Sequence, residues 1–89
     1  MDNIRNDIDK LNDEILDALL KRLELSEDVA DYKIKHNLPV YSKEREEEIM
    51  KIIGNKAGKK AEYILPVFQA ILDTSKKLQE DIISEKEGK

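Results

Sequence analysis

Residues 3–36 read NIRNDIDKLNDEILDALLKRLELSEDVADYKIKH, and apolar side chains recur along this stretch at alternating spacings of three and four. This spacing places them on one face of a continuous α-helix and is the a/d pattern of helices that pack lengthwise on a partner helix. We call the set the seam, and it consists of Ile4, Ile8, Leu11, Ile15, Ala18, Arg22, Leu25, Val29 and Tyr32. Arg22 interrupts the seam with a cation, which is the first indication of a binding site.

The predicted first helix is too long for a globule built from one short chain. At about 1.5 Å per residue it spans about 50 Å, whereas a compact chain of 89 residues has a radius of gyration of about 12 Å. An apolar seam left in water is unfavourable. We therefore predict that the seam lies along a second copy of the chain, in a homodimer.

The composition indicates one all-α domain over residues 1–89. Charged residues make up 40% of the chain and aromatic residues 4%, with three glycines and two prolines. Such a composition is typical of long solvated helices and poor in strand-forming residues. The chain has no cysteine and a single histidine, His36, so disulfides, thiolate sites and histidine clusters are excluded and we expect no metal site.

The charge and hydropathy of the chain indicate which partners to expect. A net charge of −4 disfavours general binding to nucleic acid or to anionic membranes, which attract clustered positive charge. The sequence has no apolar run near the 18 to 20 residues that a membrane span needs, and its acidic start is unlike a signal peptide. We expect a cytoplasmic protein. Met1 at one end and the charged tail at the other favour a free-standing chain over a unit cut from a larger bifunctional enzyme.

Three helices are predicted, over about residues 3–36, 42–53 and 60–86. Asp2 or Asn3 is expected to cap the first helix. Its end is predicted at Asn37, which can adopt the left-handed conformation, and Pro39 prevents continuation. Ser42 is a good N-cap for the second helix.

The third helix is predicted to follow a turn at residues 54–59, which contain two glycines. Its apolar stripe again alternates three and four and is interrupted by Ser75, with Gln79 one turn further on the same side. Pro66 requires either that the regular helix starts near Tyr63 or that it kinks. The polar tail, residues 84–89, is expected to fray.

Arg22 and Lys33 are eleven residues apart, which returns almost to the same helix face with about 16 Å between the Cα atoms. Between them on that face lie the small to medium side chains Ser26, Val29 and Ala30, which leave a hollow. Two cations facing a hollow suit a small dianion, especially one with carboxylates that an arginine can hold in bidentate fashion.

Arg5 lies seventeen residues from Arg22, or about 25 Å along the helix, which is too far for both to reach one small ligand. An antiparallel partner chain would bring Arg5 of one chain towards Arg22 of the other and create two composite sites per dimer. Four further polar residues are predicted to face inward from the second and third helices and to complete the lining: Arg45, Glu46, Ser75 and Gln79.

Each of these residues also has a purely structural interpretation. Arg22 could pair with a glutamate and fix helix register, and Lys33 could be a solvated charge at a helix end. Glu46 would suit the first turn of a helix, and Ser75 could bond back to its own helix. A non-catalytic helical dimerisation module is therefore an alternative. Six polar groups on the inward faces of three helices, without an obvious structural task, favour a binding site.

Three segments resemble the all-helical class of chorismate mutase, the enzymes of aromatic amino acid biosynthesis that convert chorismate into prephenate. They are residues 4–33 (IRNDIDKLNDEILDALLKRLELSEDVADYK), 39–49 (PVYSKEREEEI) and 68–79 (FQAILDTSKKLQ). The resemblance implies an intertwined helical dimer in which each active site receives an arginine from the other subunit. It also implies an intramolecular Claisen rearrangement that needs neither a cofactor nor a metal.

The resemblance assigns a role to each arginine. Arg5 matches the arginine donated across the dimer, Arg22 the arginine that clamps a substrate carboxylate, and Arg45 a further pocket arginine. Lys33 and Gln79 match the pair that hydrogen-bonds the ether oxygen of the breaking bond.

The remaining matched positions concern the ring and a carboxylate. Glu46 matches the acid that faces the ring hydroxyl, and Ser75 a pocket hydroxyl near a carboxylate. Ser42 departs from the pattern, because several members carry an aspartate there, and it could contact substrate or serve only as a helix cap. The resemblance also permits an isochorismate pyruvate-lyase, although Glu46 and Gln79 favour the mutase.

Overall fold

The computed structural model describes residues 1–87, which form three α-helices and no strand. Helix α1 spans Asp2–His36, α2 spans Lys43–Ala57 and α3 spans Ala61–Glu87, and a 3-10 turn at Gly58–Lys60 joins α2 to α3. The predicted all-α class, with a very long first helix, a short second and a long third, is confirmed.

Helix α1 ends as predicted but begins differently. Asn37 adopts the left-handed conformation, with φ 54° and ψ 45°, and the Leu38 N–H donates to the Lys33 carbonyl at 2.9 Å. At the start, Met1 is the N-cap and no side chain caps the helix, so the predicted cap at Asp2 or Asn3 is wrong. Asp2 lies in the first turn instead, where its charge complements the positive end of the helix dipole.

Helix α2 starts at the predicted cap and runs further than predicted. The Ser42 hydroxyl accepts a hydrogen bond from the Arg45 N–H at 3.3 Å. The helix then continues through Gly54 to Ala57, so the predicted turn at Gly54 is wrong. The change of direction falls at Gly58, which has φ +59°, a conformation that side chains with a Cβ rarely adopt.

Helix α3 begins at Ala61 and includes Pro66. The sequence predicted either a start of the regular helix near Tyr63 or a kink, and the helix starts two residues before Tyr63. Because proline has no N–H, the Glu62 carbonyl lacks the donor that position i+4 normally supplies. The helix remains regular through Ser84 to Glu87, and residues 88 and 89 of the predicted frayed tail lie outside the described residues.

The helix directions follow from the contacts. Ser26 and Asp31 of α1 contact Ser75 and Lys86 of α3, so the two long helices run parallel. Helix α2 runs antiparallel to α3, since its first turns contact the middle of α3 and its last turns the start of α3. Among residues 1–87, the buried apolar side chains are Ala30 and Leu72, so the core of one chain is small.

The first half of α1 is exposed and has little packing against the other described residues. Every residue from Met1 to Ala18 is exposed, and the seam residues Ile4, Ile8, Leu11 and Ile15 expose between 51% and 57% of their surface. The radius of gyration is 16.0 Å, against about 12 Å for a compact chain of this length. Within the described range, no helix is long and apolar enough to cross a membrane.

Candidate functional site

A cavity of about 330 Å³ lies where the second half of α1, the start of α2 and the middle of α3 meet. Seven of the eight predicted site residues line it: Arg22, Lys33, Ser42, Arg45, Glu46, Ser75 and Gln79. The size is that of a pocket for a small molecule. Helix periodicity explains the convergence, because each helix contributes residues that lie three, four, seven or eleven positions apart.

The lining is strongly cationic although the chain is acidic. Four cations contribute to it (Arg22, Lys33, Arg45 and Lys76) against one acid, Glu46, which gives a formal charge of +3 from four minus one. Clustered cations in a concave, partly dehydrated site attract small anions. The site therefore suits an anionic ligand.

Hydroxyl and amide groups form a connected floor to the cavity. The Ser26 and Ser75 oxygens lie 2.6 Å apart, and the Ser26 hydroxyl donates to the Arg22 carbonyl at 3.1 Å. The Gln79 amide nitrogen lies 3.5 Å from the Ser75 oxygen, at the long limit of a hydrogen bond. Gln79 is 7% exposed, and its Oε1 is a buried acceptor with no partner among the described residues.

A buried amide with one unused oxygen and one weakly used nitrogen is costly unless something else bonds to it. A ligand in the cavity could supply those bonds. The amide of Gln79 is therefore available both to donate and to accept.

Lys33 reaches from α1 to the segment that connects α1 to α2. Its ammonium donates to the Val40 carbonyl at 2.6 Å. Burial lowers the pKa of Lys33 below its ordinary value, because the charged form is partly removed from water. Because the Val40 carbonyl is neutral, it does not compensate the positive charge of the Lys33 ammonium, which can therefore bind an anion.

Arg45 and Glu46 are adjacent in the first turns of α2 and point in different directions. The Arg45 guanidinium pairs with Glu48 of its own helix and remains largely exposed at the edge of the cavity. The Glu46 carboxylate lies deeper and pairs with Lys76 of α3, with 3.0 Å between Oε2 and Nζ.

Lys76 is a cavity residue that the sequence analysis missed. It lies four positions after Leu72 and three before Gln79, both of which line the cavity, and this spacing places it on the same side of α3. Lysine side chains on a helix are usually solvated, so the spacing alone was a weak signal.

Arg5 does not reach the cavity of its own chain. It is exposed in the second turn of α1, seventeen residues of continuous helix before Arg22, or about 25 Å along the axis. Its predicted contribution from a second chain stays a prediction.

A second hollow of about 260 Å³ lies between α1 and α3. Its lining is almost wholly apolar and includes the seam residue Ile15 with Leu19, Leu23, Val67 and Ile71. It continues the exposed seam towards the cavity, and Arg22 borders both.

Comparison with known proteins gives one family and several relatives. The chorismate mutase type II family matches residues 4–80. The bifunctional chorismate mutase/prephenate dehydratase of Buchnera aphidicola (subsp. Baizongia pistaciae) is 38% identical over 74 residues, which are 80% of this chain and 20% of that protein. The T-protein of Haemophilus influenzae is 34% identical over 76 residues, which are 82% of this chain and 20% of that protein.

This chain therefore spans about a fifth of the length of the curated relatives it matches. No solved structure gives a significant match.

Proposed function

The chain belongs to the chorismate mutase type II family, whose members are isomerases, and from this we propose that it converts chorismate into prephenate, a step towards phenylalanine and tyrosine. The observation that carries the proposal is the cavity in which Arg22, Lys33, Glu46 and Gln79 converge. Chorismate is a small dicarboxylate, and the cationic lining suits it.

The rearrangement makes two physical demands on a site. The enolpyruvyl side chain must be held folded over the ring, and the negative charge that grows on the ether oxygen must be stabilised. Arg22, placed on α1 beside the hydroxyl floor, is proposed to clamp one carboxylate in bidentate fashion. Arg45 at the cavity edge is proposed to contact substrate after it leaves Glu48.

Lys33 and Gln79 are proposed to stabilise the ether oxygen. Lys33 would exchange the Val40 carbonyl for the substrate oxygen, which costs little because a neutral acceptor is replaced by one that is becoming negative. The Gln79 amide is weakly engaged at 3.5 Å from Ser75, so its N–H groups can turn to the ligand. Both donors are held by helices, which favours preorganisation.

The other polar groups are given supporting roles. Glu46 is proposed to accept a hydrogen bond from the ring hydroxyl, and Ser75 to lie near a carboxylate. Ser42 already accepts from the Arg45 N–H as the cap of α2, so we propose the capping role as its main one.

We further propose that the protein is a homodimer with two shared active sites, each completed by Arg5 of the partner subunit. The exposed seam over the first half of α1 and the adjoining apolar hollow support this proposal. A long apolar stripe without cover is unfavourable in water, and a twofold axis would cover both copies of it equally. The cytoplasmic location expected from the sequence stays a prediction.

The experiment that tests the function is a chorismate assay with the purified chain. Loss of chorismate and appearance of prephenate are followed together, with isochorismate assayed in parallel. Turnover of isochorismate alone would identify a pyruvate-lyase, and turnover of neither would favour a non-catalytic dimerisation module.

A matched pair of variants then tests the site. Lys33→Ala is expected to lower kcat by about 100- to 1000-fold, the usual effect of removing one transition-state donor. Lys35→Ala is the control, because Lys35 is exposed in the same helical turn and does not line the cavity. Equal turnover by the two variants would contradict the assignment of Lys33.

A further inference from the structure

Lys76 lines the cavity and joins three parts of the chain. Its Nζ lies 3.0 Å from Oε2 of Glu46 on α2, 3.6 Å from Oδ1 of Asp73 on α3, and 4.7 Å from the centre of the Tyr41 ring in the connector. The Lys76 and Glu46 side chains are 26% and 19% exposed. This cluster is more enclosed than the other ion pairs of the described residues.

The cations near Glu46 on its own helix are engaged elsewhere. Arg45 pairs with Glu48, and Lys43 pairs with Glu47 at 3.8 Å. Lys76 is thus the cation that holds the Glu46 carboxylate, and it does so from a different helix. It contacts Oε2, which leaves Oε1 as the oxygen able to accept from a ligand.

We propose that Lys76 is a positioning residue that fixes the Glu46 carboxylate for the ring hydroxyl of the substrate. The inference rests on the proposed function and adds to it a residue outside the set that the sequence predicted. Lys76 acts through Glu46 and does not itself contact the reacting atoms. A glutamate has three rotatable bonds, so a fixed partner reduces the conformational freedom that is lost when substrate binds.

The surroundings keep Lys76 charged in this role. Its hydrogen bond with Glu46 raises the pKa of Lys76 above its ordinary value, while partial burial opposes the rise and the charges of Glu46 and Asp73 add to it. The Tyr41 ring face adds a further attraction for the cation. The raised pKa therefore favours the charged ammonium beside Glu46.

The test is a double-mutant cycle between the two residues, measured with chorismate. The variants are Lys76→Met, Glu46→Gln and the double variant. We expect Lys76→Met to lower kcat about tenfold, with KM changed less than about threefold, and the double variant to be no slower than Glu46→Gln alone. Lys76→Arg, which keeps the charge, is expected to restore most of kcat.

Lys77→Met is the matched control. Lys77 is the next residue of α3, is exposed and pairs with Asp81 one turn away. It is expected to behave as the unmodified chain. Thermal unfolding of Lys76→Met is measured beside it, since normal unfolding separates an effect on positioning from an effect on folding.

The outcomes distinguish the possible roles of Lys76. Multiplicative losses in the double variant would overturn the inference, because they would mean that Lys76 acts independently of Glu46. A rise in KM with unchanged kcat would also overturn it and indicate direct binding of a carboxylate. If the unmodified chain does not turn over chorismate, the proposed function fails; if it does and Lys76→Met equals Lys77→Met, only this inference fails.

A measurement without substrate supports the cycle. Titration of the Lys76 side chain by NMR is expected to give a raised pKa in the unmodified chain and a lower one in Glu46→Gln, since the largest cause of the rise is removed. An unchanged pKa would show that the pair does not form in solution and would overturn the inference.

Discussion

The hydroxyl oxygens of Ser26 and Ser75 lie 2.6 Å apart and join α1 to α3 beneath the cavity. The Ser26 hydroxyl donates to the Arg22 carbonyl, so its single proton is used and Ser75 must donate to Ser26. Ser75 can then accept from the Gln79 amide. One directed chain of hydrogen bonds thus links the amide of Gln79 to the backbone of Arg22.

Removing the Ser75 hydroxyl should destabilise the chain more than removing that of Ser26. Ser75→Ala leaves the Gln79 amide nitrogen without its acceptor, in addition to the Gln79 oxygen, which has no partner within residues 1–87. We expect a loss of about 1–3 kcal/mol in the free energy of unfolding for Ser75→Ala and about 1 kcal/mol for Ser26→Ala. Urea denaturation, with equal slopes for the variants, measures both.

Ser84→Ala is the control for these two variants, because Ser84 is an exposed residue near the end of α3, the helix that carries Ser75. Its stability is expected to stay within about 0.5 kcal/mol of the unmodified chain. A Ser75→Ala variant as stable as Ser84→Ala would show that the hydrogen-bond chain contributes nothing.

The activity is expected to fall at alkaline pH as Lys33 loses its proton. Burial lowers the pKa of Lys33 below its ordinary value of 10.5, so the charged form that is proposed to act is lost as the pH rises through that lowered pKa. The alkaline limb of the pH profile of kcat/KM reports the pKa of a group in the free protein. The substrate carboxylates do not titrate at alkaline pH. The midpoint of the limb is therefore expected below 10.5.

Lys33→Arg tests whether deprotonation of Lys33 causes the fall in activity at alkaline pH. Arginine keeps its charge throughout the range, so the variant, although slower, is expected to lose the alkaline limb or to shift it upward. The same limb in both proteins would assign the titration to another group.

Mixing two inactive variants should restore activity if the sites are shared between chains. Arg5 and Lys33 lie in different parts of α1. In the proposed dimer, each site takes Lys33 from one chain and Arg5 from the other, so Arg5→Ala and Lys33→Ala on different chains both affect the same site. A mixed dimer then has one site with both defects and one with neither. After unfolding and refolding together in equal amounts, about a quarter of the unmodified activity is expected.

Each variant refolded alone provides the baseline for that mixture. Activity equal to the mean of the two baselines would mean that each site is built from a single chain, and it would contradict the role proposed for Arg5.

A charge placed in the seam should separate the chains. Leu11 is 55% exposed in one chain and lies on the seam, so Leu11→Lys would bury a cation in the proposed interface. Sedimentation is expected to show a monomer with little activity. Asn12→Lys adds the same charge at the neighbouring exposed position off the seam and should remain dimeric; a stable monomer of the unmodified chain would contradict the dimer itself.

Periodicity and end signals predicted most of the helical architecture. The seam predicted α1, Asn37 marked its end and Ser42 the start of α2, because these signals act within a few residues. Such local rules could not decide whether helix α2 ends at Gly54 or at Gly58. Helix α2 continues through Gly54, which packs beside α3, and the positive φ falls on Gly58.

The cavity was predictable where one helix supplied two groups and less so where helices meet. Arg22 and Lys33 share a face of α1, and helix geometry alone brings them together. Lys76 was missed because lysine side chains on a helix are usually solvated, and spacing along α3 does not reveal its contact with Glu46 of another helix. The structure of a single chain does not test the role proposed for Arg5, since its proposed partners belong to a second copy.

The uncovered half of α1 implies an order of events during folding. Helices α2 and α3 are neighbours in sequence, and the second half of α1 packs on α3, so these parts can assemble within one chain at a rate independent of concentration. Residues 2–18 continue the packed half of α1 but lack the tertiary packing from which most helical stability in proteins comes. In the proposed dimer, the first half of α1 is stabilised only when two chains associate. Completion of the active site is then a bimolecular step that slows on dilution.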